Sequence, residues 1–199
     1  MHSQEYVHLD IKLDNILLDE FFNLKLADLG IALCAKNTSK HIAHKRGTTK
    51  YMAPEVERAC MEAPFNVFNA DIYSMGICLH LMLLGMYPEN TCQDEKATEE
   101  GTDKEMTSDE QVKETPKAYA CSTVDENYLS EECLDLLYRM IHPDPHKRPT
   151  IFEIFEHPWM TQGITAELQE AVYLEMLERS NFLKDKNTRS EVTISLDLE

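Results

Sequence analysis

Residues 8–15 read His-Leu-Asp-Ile-Lys-Leu-Asp-Asn and put a carboxylate (Asp10), an ammonium (Lys12) and a carboxamide (Asn15) in one short loop. Those three groups suit three tasks: taking a hydroxyl proton, neutralising a migrating phosphoryl group and holding a divalent metal. A second acid, Asp28, follows thirteen residues after Asn15, in Asp28-Leu29-Gly30. Either acid alone would read as a turn residue, because a lone aspartate commonly bonds its own backbone. Their order and spacing carry the signal.

Short elements must position these groups. Tyr6-Val7 leads into the loop, and Ile16-Leu17-Leu18 reads as a short buried strand. Asp19–Asn23 turns the chain, and Leu24, Leu26 and Ala27 alternate as the second strand of a hairpin. Residues 31–52 have no sustained period and read as a long exposed loop, with Lys36, Lys40, Lys45, Arg46 and Lys50 and no acid through residue 50. From Asn69 to about Leu84 the pattern is helical and apolar nearly all round, as for a helix at the centre of a helical lobe, ended by Gly85 and Pro88. Residues 91–127 read as a polar insertion. Ser130 caps a helix with Cys133, Leu134, Leu137, Tyr138 and Ile141 on one face, and Thr150 caps a short helix through Phe155. Residues 165–183 predict an amphipathic helix carrying Leu168, Val172, Leu174, Met176 and Leu177.

The 199 residues suffice for one sizeable core, and 43 % hydrophobic content is ordinary for a globular protein. The net charge of −17 is uneven. Residues 94–132 hold thirteen acids against four lysines, and 165–199 hold eight acids against four bases. Nucleic acids and anionic membranes attract Lys and Arg, so neither is an expected partner. The six cysteines are never closer than twelve residues, which leaves no Cys-x-x-Cys pair and predicts reduced thiols in a cytoplasmic or nuclear protein. His41 and His44 have a ligand-like spacing without cysteine or carboxylate support, so no zinc site is expected. The segment Ile72–Tyr87 is shorter than a membrane span of about 20 residues and is expected to be core. No basic start or apolar run marks a secretory signal.

With Ala53-Pro54-Glu55 following the other two strings in order, the chain resembles the eukaryotic protein kinases of the serine/threonine type. The resemblance covers about residues 5–160. It implies an α+β, protein kinase-like fold: a mainly α-helical C-terminal lobe over residues 1–160 with a short β-hairpin at the active site, followed by a helical tail at 161–199. It also implies ATP and Mg²⁺ as cofactors and proteins with Ser/Thr acceptors as substrates. Asp10 would orient the attacking hydroxyl and Lys12 would lie against the transferred phosphate. A lysine two after the base is typical of the serine/threonine branch. Asn15 and Asp28 would hold the metal, and Leu17, with Cys78 and Met82 behind it, would support the adenine. Gly47-Thr48 through Glu55 resembles the substrate-facing segment, with Thr48 orienting Asp10. Glu55 would pair with Arg148, and Asp71 would hold the catalytic-loop backbone near His8.

Two positions depart from the family pattern. Leu9 replaces the usual arginine, which weakens the case for activation by phosphate at Thr38, Ser39 or Thr49. Leu29 replaces phenylalanine and is expected to be an apolar plug beside His8. The 199 residues contain no glycine-rich loop, strand lysine or partner glutamate for the nucleotide, so feeble activity of the chain alone is expected. A non-catalytic kinase-like scaffold is the alternative reading. The acidic insertion is a candidate to fold over the basic loop and occupy an acidic-substrate site.

Overall fold

The structure, a computed structural model, describes residues 1–36, 41–42, 46–58, 65–88 and 129–196. The insertion at 91–127 and residues 37–40 and 43–45 of the basic loop, with Thr38, Ser39 and His44, lie outside the described residues.

A single apolar helix organises the core. It spans Val67–Leu84 (α2 in the chain-order numbering used below), and Asn66 caps it by accepting the Phe68 N–H at 3.0 Å. It ends at Gly85, whose φ of +72° lets the N–H turn back to the Leu81 carbonyl at 2.9 Å. By length and composition α2 could cross a membrane, yet Ile72, Tyr73, Ile77 and Cys78 are enclosed in the protein core. Its second face meets α3 (Glu131–Met140), capped by Ser130 as expected. Gly76 makes that crossing close: a Cβ there would sit 2.6 Å from Ile141 Cγ2 and 2.9 Å from Met140 Cβ.

The buried stripe of α3 is rotated from the one the periodicity suggested. Leu136 and Met140 are enclosed, whereas Leu134 and Tyr138 are only partly covered. The reason is that α3 lies between α2 and the short helices α4 (Ile151–Glu156) and α5 (Pro158–Thr161). Thr150 closes a capping box on α4, with Glu153 Oε2 accepting the Thr150 N–H at 2.7 Å. His157 Nδ1 caps α5, and Nε2 lies 3.0 Å from Asp135 Oδ2.

Among the described residues the strands form three two-stranded antiparallel ladders: β1 (Tyr6–Val7) with β4 (Leu33–Cys34), β2 (Ile16–Leu18) with β3 (Leu24–Leu26), and β5 (His41–Ile42) with β6 (Phe65–Asn66). The β2–β3 turn is fastened by Asp19 Oδ1, which accepts the Phe21 and Asn23 N–H groups at 3.0 and 2.8 Å. The strand expected to be buried is not: Ile16 is partly buried against the core, and Leu17, Leu18, Leu24 and Leu26 are exposed. One side of a two-stranded ribbon covers the lobe, and nothing described covers the other.

The last helix differs most from expectation. After the four-residue α1 (Pro54–Glu57), the helices run to α6, which spans Ala166–Leu196, well past residue 183. Its apolar residues do not share one face: at about 100° per residue, Leu168 and Leu177 point to opposite sides. The spacing that looked amphipathic over a few residues drifts around the axis. The Tyr173 ring of α6 meets Phe22 of the hairpin edge-on at 5.5 Å.

Candidate active site

Asp10, Lys12 and Thr48 close a triangle. Lys12 Nζ donates to Asp10 Oδ2 at 2.9 Å and to Thr48 Oγ1 at 3.0 Å. The Thr48 hydroxyl in turn donates to Asp10 Oδ1 at 2.7 Å. Each proton has one acceptor, so the carboxylate is held in a single orientation with its remaining lone pairs outward. The Asn15 amide donates to the Asp10 carbonyl at 2.9 Å and, more weakly, to Asp10 Oδ2 at 3.3 Å. That fixes the amide nitrogen toward Asp10 and turns its oxygen away.

Burial alone would push the Asp10 carboxyl up, but hydrogen bonds from Lys12 and Thr48 and the Lys12 charge more than offset it and leave its pKa lowered. The bond to Asp10 correspondingly raises Lys12, against partial desolvation. Both groups are therefore charged at neutral pH, a carboxylate paired with an ammonium.

The loop holding Asp10 is anchored from α2. Asp71, buried at the helix start, accepts the His8 N–H at 2.8 Å and the Leu9 N–H at 2.7 Å on its two oxygens. Leu9 thereby sits at φ +65°, a region costing a bulky residue of order 1–3 kcal/mol unless its surroundings enforce it. His2, which the sequence did not single out, also meets Asp71, with Nε2 3.0 Å from Oδ2, and packs edge-on against Phe68 at 5.1 Å. His8 is fully enclosed; its Nδ1 accepts the Asp10 N–H at 3.2 Å, so Nε2 carries the proton and donates to the Ala27 carbonyl at 2.9 Å. The plug expected beside it is not formed: Leu29 is 59 % exposed. Asp28, at φ +59°, turns the triplet outward, its Oδ1 accepting the Gly30 N–H at 3.2 Å.

Gly47 is a second residue whose role emerges only in three dimensions. Its φ is +96°, and a Cβ there would lie 2.4 Å from the Leu9 carbonyl oxygen. The missing side chain lets the segment carrying Thr48 press against the loop carrying Asp10. Gly47→Ala is therefore expected to lose at least about 1 kcal/mol of stability and to pull Thr48 off Asp10, read by thermal melts of the two chains.

The Ala27 N–H donates to the Asn15 carbonyl at 2.8 Å and draws the two hairpin ends together. Asn15 and Asp28 thus offer an amide oxygen and an exposed carboxylate from neighbouring strand ends. The donor set fits a hard divalent cation that shares its remaining positions with phosphate oxygens and water. Of the residues expected beneath the adenine, Leu17 is 52 % exposed on the outer hairpin face, Cys78 is enclosed in the core, and Met82 is exposed on α2. Burial pushes the Cys78 thiol up to about 11, which keeps it protonated and inert.

Glu55, in α1 (Pro54–Glu57), meets Arg148 through two bonds of 2.6 and 2.8 Å. Arg148 also donates to the carbonyls of His142 (2.7 Å), Asn69 (2.9 Å) and Pro143 (3.3 Å), and its guanidinium lies 4.8 Å over the Tyr73 ring. All five N–H donors are thus satisfied in an enclosed side chain. Ser74 fastens the same segment by donating to the Tyr51 carbonyl at 2.8 Å.

His142, beside that pair, gives a pH dependence. Burial, then the Lys147 charge, lowers its pKa, and its Nδ1 accepts the Asp144 N–H at 2.9 Å. The unfolded chain then binds a proton at pH values where the folded one does not, so stability falls as pH drops below about 6.5. The melting temperature of His142→Asn should fall less than that of the parent between pH 7 and 5; parallel curves would count against this account.

The fold and this constellation define a protein kinase C-terminal lobe. Residues 1–160 match the protein kinase domain family, and the chain belongs to it as a serine/threonine-type member. Similar proteins include mouse (Mus musculus) testis-specific serine/threonine-protein kinase 1, 31 % identical over 163 residues, covering 80 % of this chain and 40 % of that protein. The serine/threonine-protein kinase cds1 of Schizosaccharomyces pombe is 32 % identical over 170 residues, with 84 % and 34 % covered. The rice (Oryza sativa subsp. japonica) serine/threonine-protein kinase SAPK9 is 32 % identical over 173 residues, with 85 % and 43 % covered. The chain thus spans less than half the length of these curated relatives. Family membership implies ATP, a divalent metal and protein substrates.

Proposed function

We propose that this chain supplies the catalytic half of a serine/threonine protein kinase, in which ATP's terminal phosphoryl group passes to a Ser or Thr hydroxyl. The observation that carries the reading is the closed triangle of Asp10, Lys12 and Thr48. Asp10 accepts and orients the substrate hydroxyl proton as the oxygen attacks. Lys12 lies between that carboxylate and the migrating phosphate and spreads its charge. Thr48 keeps Asp10 turned toward the acceptor. Asn15 and Asp28 are the residues to hold Mg²⁺, which when bound neutralises the phosphate oxygens. Leu17 offers the apolar contact for the base. The sequence reading points to a cytoplasmic or nuclear setting.

The test is transfer of labelled phosphate from MgATP to a generic Ser/Thr peptide, by the 199-residue chain alone and with a kinase N-terminal lobe fused before Met1. Transfer by the fusion that vanishes in Asp10→Asn supports the reading; a folded fusion with no transfer refutes it. A second reading, a kinase-like interaction module without catalysis, draws on the exposed apolar outer face of the β2–β3 hairpin. It predicts partner binding that Asp10→Asn leaves unchanged.

A further inference from the structure

We infer that the cleft next to Thr48 selects substrates with an acidic side chain close to the phosphorylated hydroxyl, and that Lys50 is the residue that reads it. The inference rests on the phosphotransfer reading of Asp10 and names the substrate class for that site. Thr49 and Lys50 line a cleft of about 310 Å³ together with Met52, Arg58, Tyr73 and Tyr87. At about 30 Å³ per water, that is room for roughly ten waters, far beyond a packing void. Lys50 lies two residues past Thr48, within about 7 Å along the chain, so a peptide whose hydroxyl reaches Asp10 runs past it.

The sign of the cleft decides its ligand. The Lys50 ammonium rests 5.0 Å over the Tyr87 ring, and that ring stands edge-on to Tyr51 at 5.7 Å. An aromatic face positions a cation without neutralising it. Among the described residues neither Lys50, Arg58 nor Arg46 has a carboxylate partner. Arg46 lines the gap beneath Asp10. Among the described lining residues Glu57 is the one acid, while Glu55 is consumed by Arg148. A peptide carboxylate therefore gains here, and a lysine or arginine at the same place meets like charge. The chain's net −17 repels acidic peptides at a distance, but that field is screened beyond about 10 Å, so the cleft sets the preference.

The experiment uses the whole 199-residue chain and peptides with one Ser, in which a single Glu, Ala or Lys is moved through the three positions on each side. Binding to the chain by fluorescence anisotropy, and transfer with MgATP by the chain fused to a kinase N-terminal lobe, are read in parallel. At one position Glu is expected to bind about fivefold tighter than Ala, with Lys weaker than Ala. Lys50→Met should erase the difference and Lys50→Glu should invert it, with melting temperatures unchanged. Equal binding of Glu and Ala peptides, no measurable binding of either, or a Glu preference that survives Lys50→Glu would overturn the inference. Transfer without Glu preference leaves the kinase reading standing and removes this one. Glu-selective binding without transfer does the reverse.

Discussion

Replacing Asp10 by alanine is expected to lower phosphoryl transfer by about 10² to 10⁴ in kcat, the range for losing a positioned proton acceptor. The loss should fall on kcat rather than KM, because in the proposed reaction Asp10 meets the hydroxyl proton and not the body of the peptide. Two aspartates nearby separate the role from the charge. Asp28→Asn keeps shape and removes the charge proposed to face the metal, so it should be as damaging and should weaken the dependence on Mg²⁺ concentration. Asp14→Ala should change the rate by no more than about twofold, because Asp14 is exposed and touches Lys12 only through space. The measurement is steady-state kinetics of the three variants in the fused, active chain, with melts to show that each folds. Equal losses at all three positions would remove the assignment of roles.

The second large effect is on stability. Glu55→Ala leaves the enclosed Arg148 guanidinium without two of its acceptors. Breaking one side of such a pair typically costs about 3–5 kcal/mol. At about 2–4 °C per kcal/mol for a chain of this size, the melting temperature should fall by roughly 10 °C. Arg148→Ala should cost as much, since it also uncovers Tyr73 and strands the carbonyls of His142, Asn69 and Pro143. Replacing both partners by methionine should recover much of the loss, because no unpaired charge then remains buried. Shifts below about 2 °C for either single variant would show that the pair does not hold α1 to α2.

Much of the site lies on local sequence and is therefore legible there. Asp10, Lys12 and Asn15 fall within six residues, and a two-stranded hairpin with an aspartate turn returns the chain to Asp28. The caps at Ser130 and Thr150 are likewise local: a side-chain oxygen and an N–H two or three residues on decide them. The burial of the hairpin was less legible, since alternation tells which residues share a face but not what covers it. The same limit applies to α3, whose extra buried positions depend on α4 and α5, and to α6, whose apolar residues wind round its axis.

By itself the sequence determined the kind of chemistry this chain can carry, through the order and spacing of a few polar residues. Only the tertiary structure decided how those residues are aimed. Asp71 lies more than sixty residues from the two N–H groups it binds, and it holds Leu9 at a φ that no local preference would choose. Gly47 reveals its purpose only once the Leu9 carbonyl stands where its side chain would be. Lys50 becomes a candidate selector of substrate only when Tyr87, thirty-seven residues on, comes beneath its ammonium. Local spacing is fixed by covalent geometry, whereas such meetings depend on which apolar faces pack together, and a periodic pattern records a face without naming its partner.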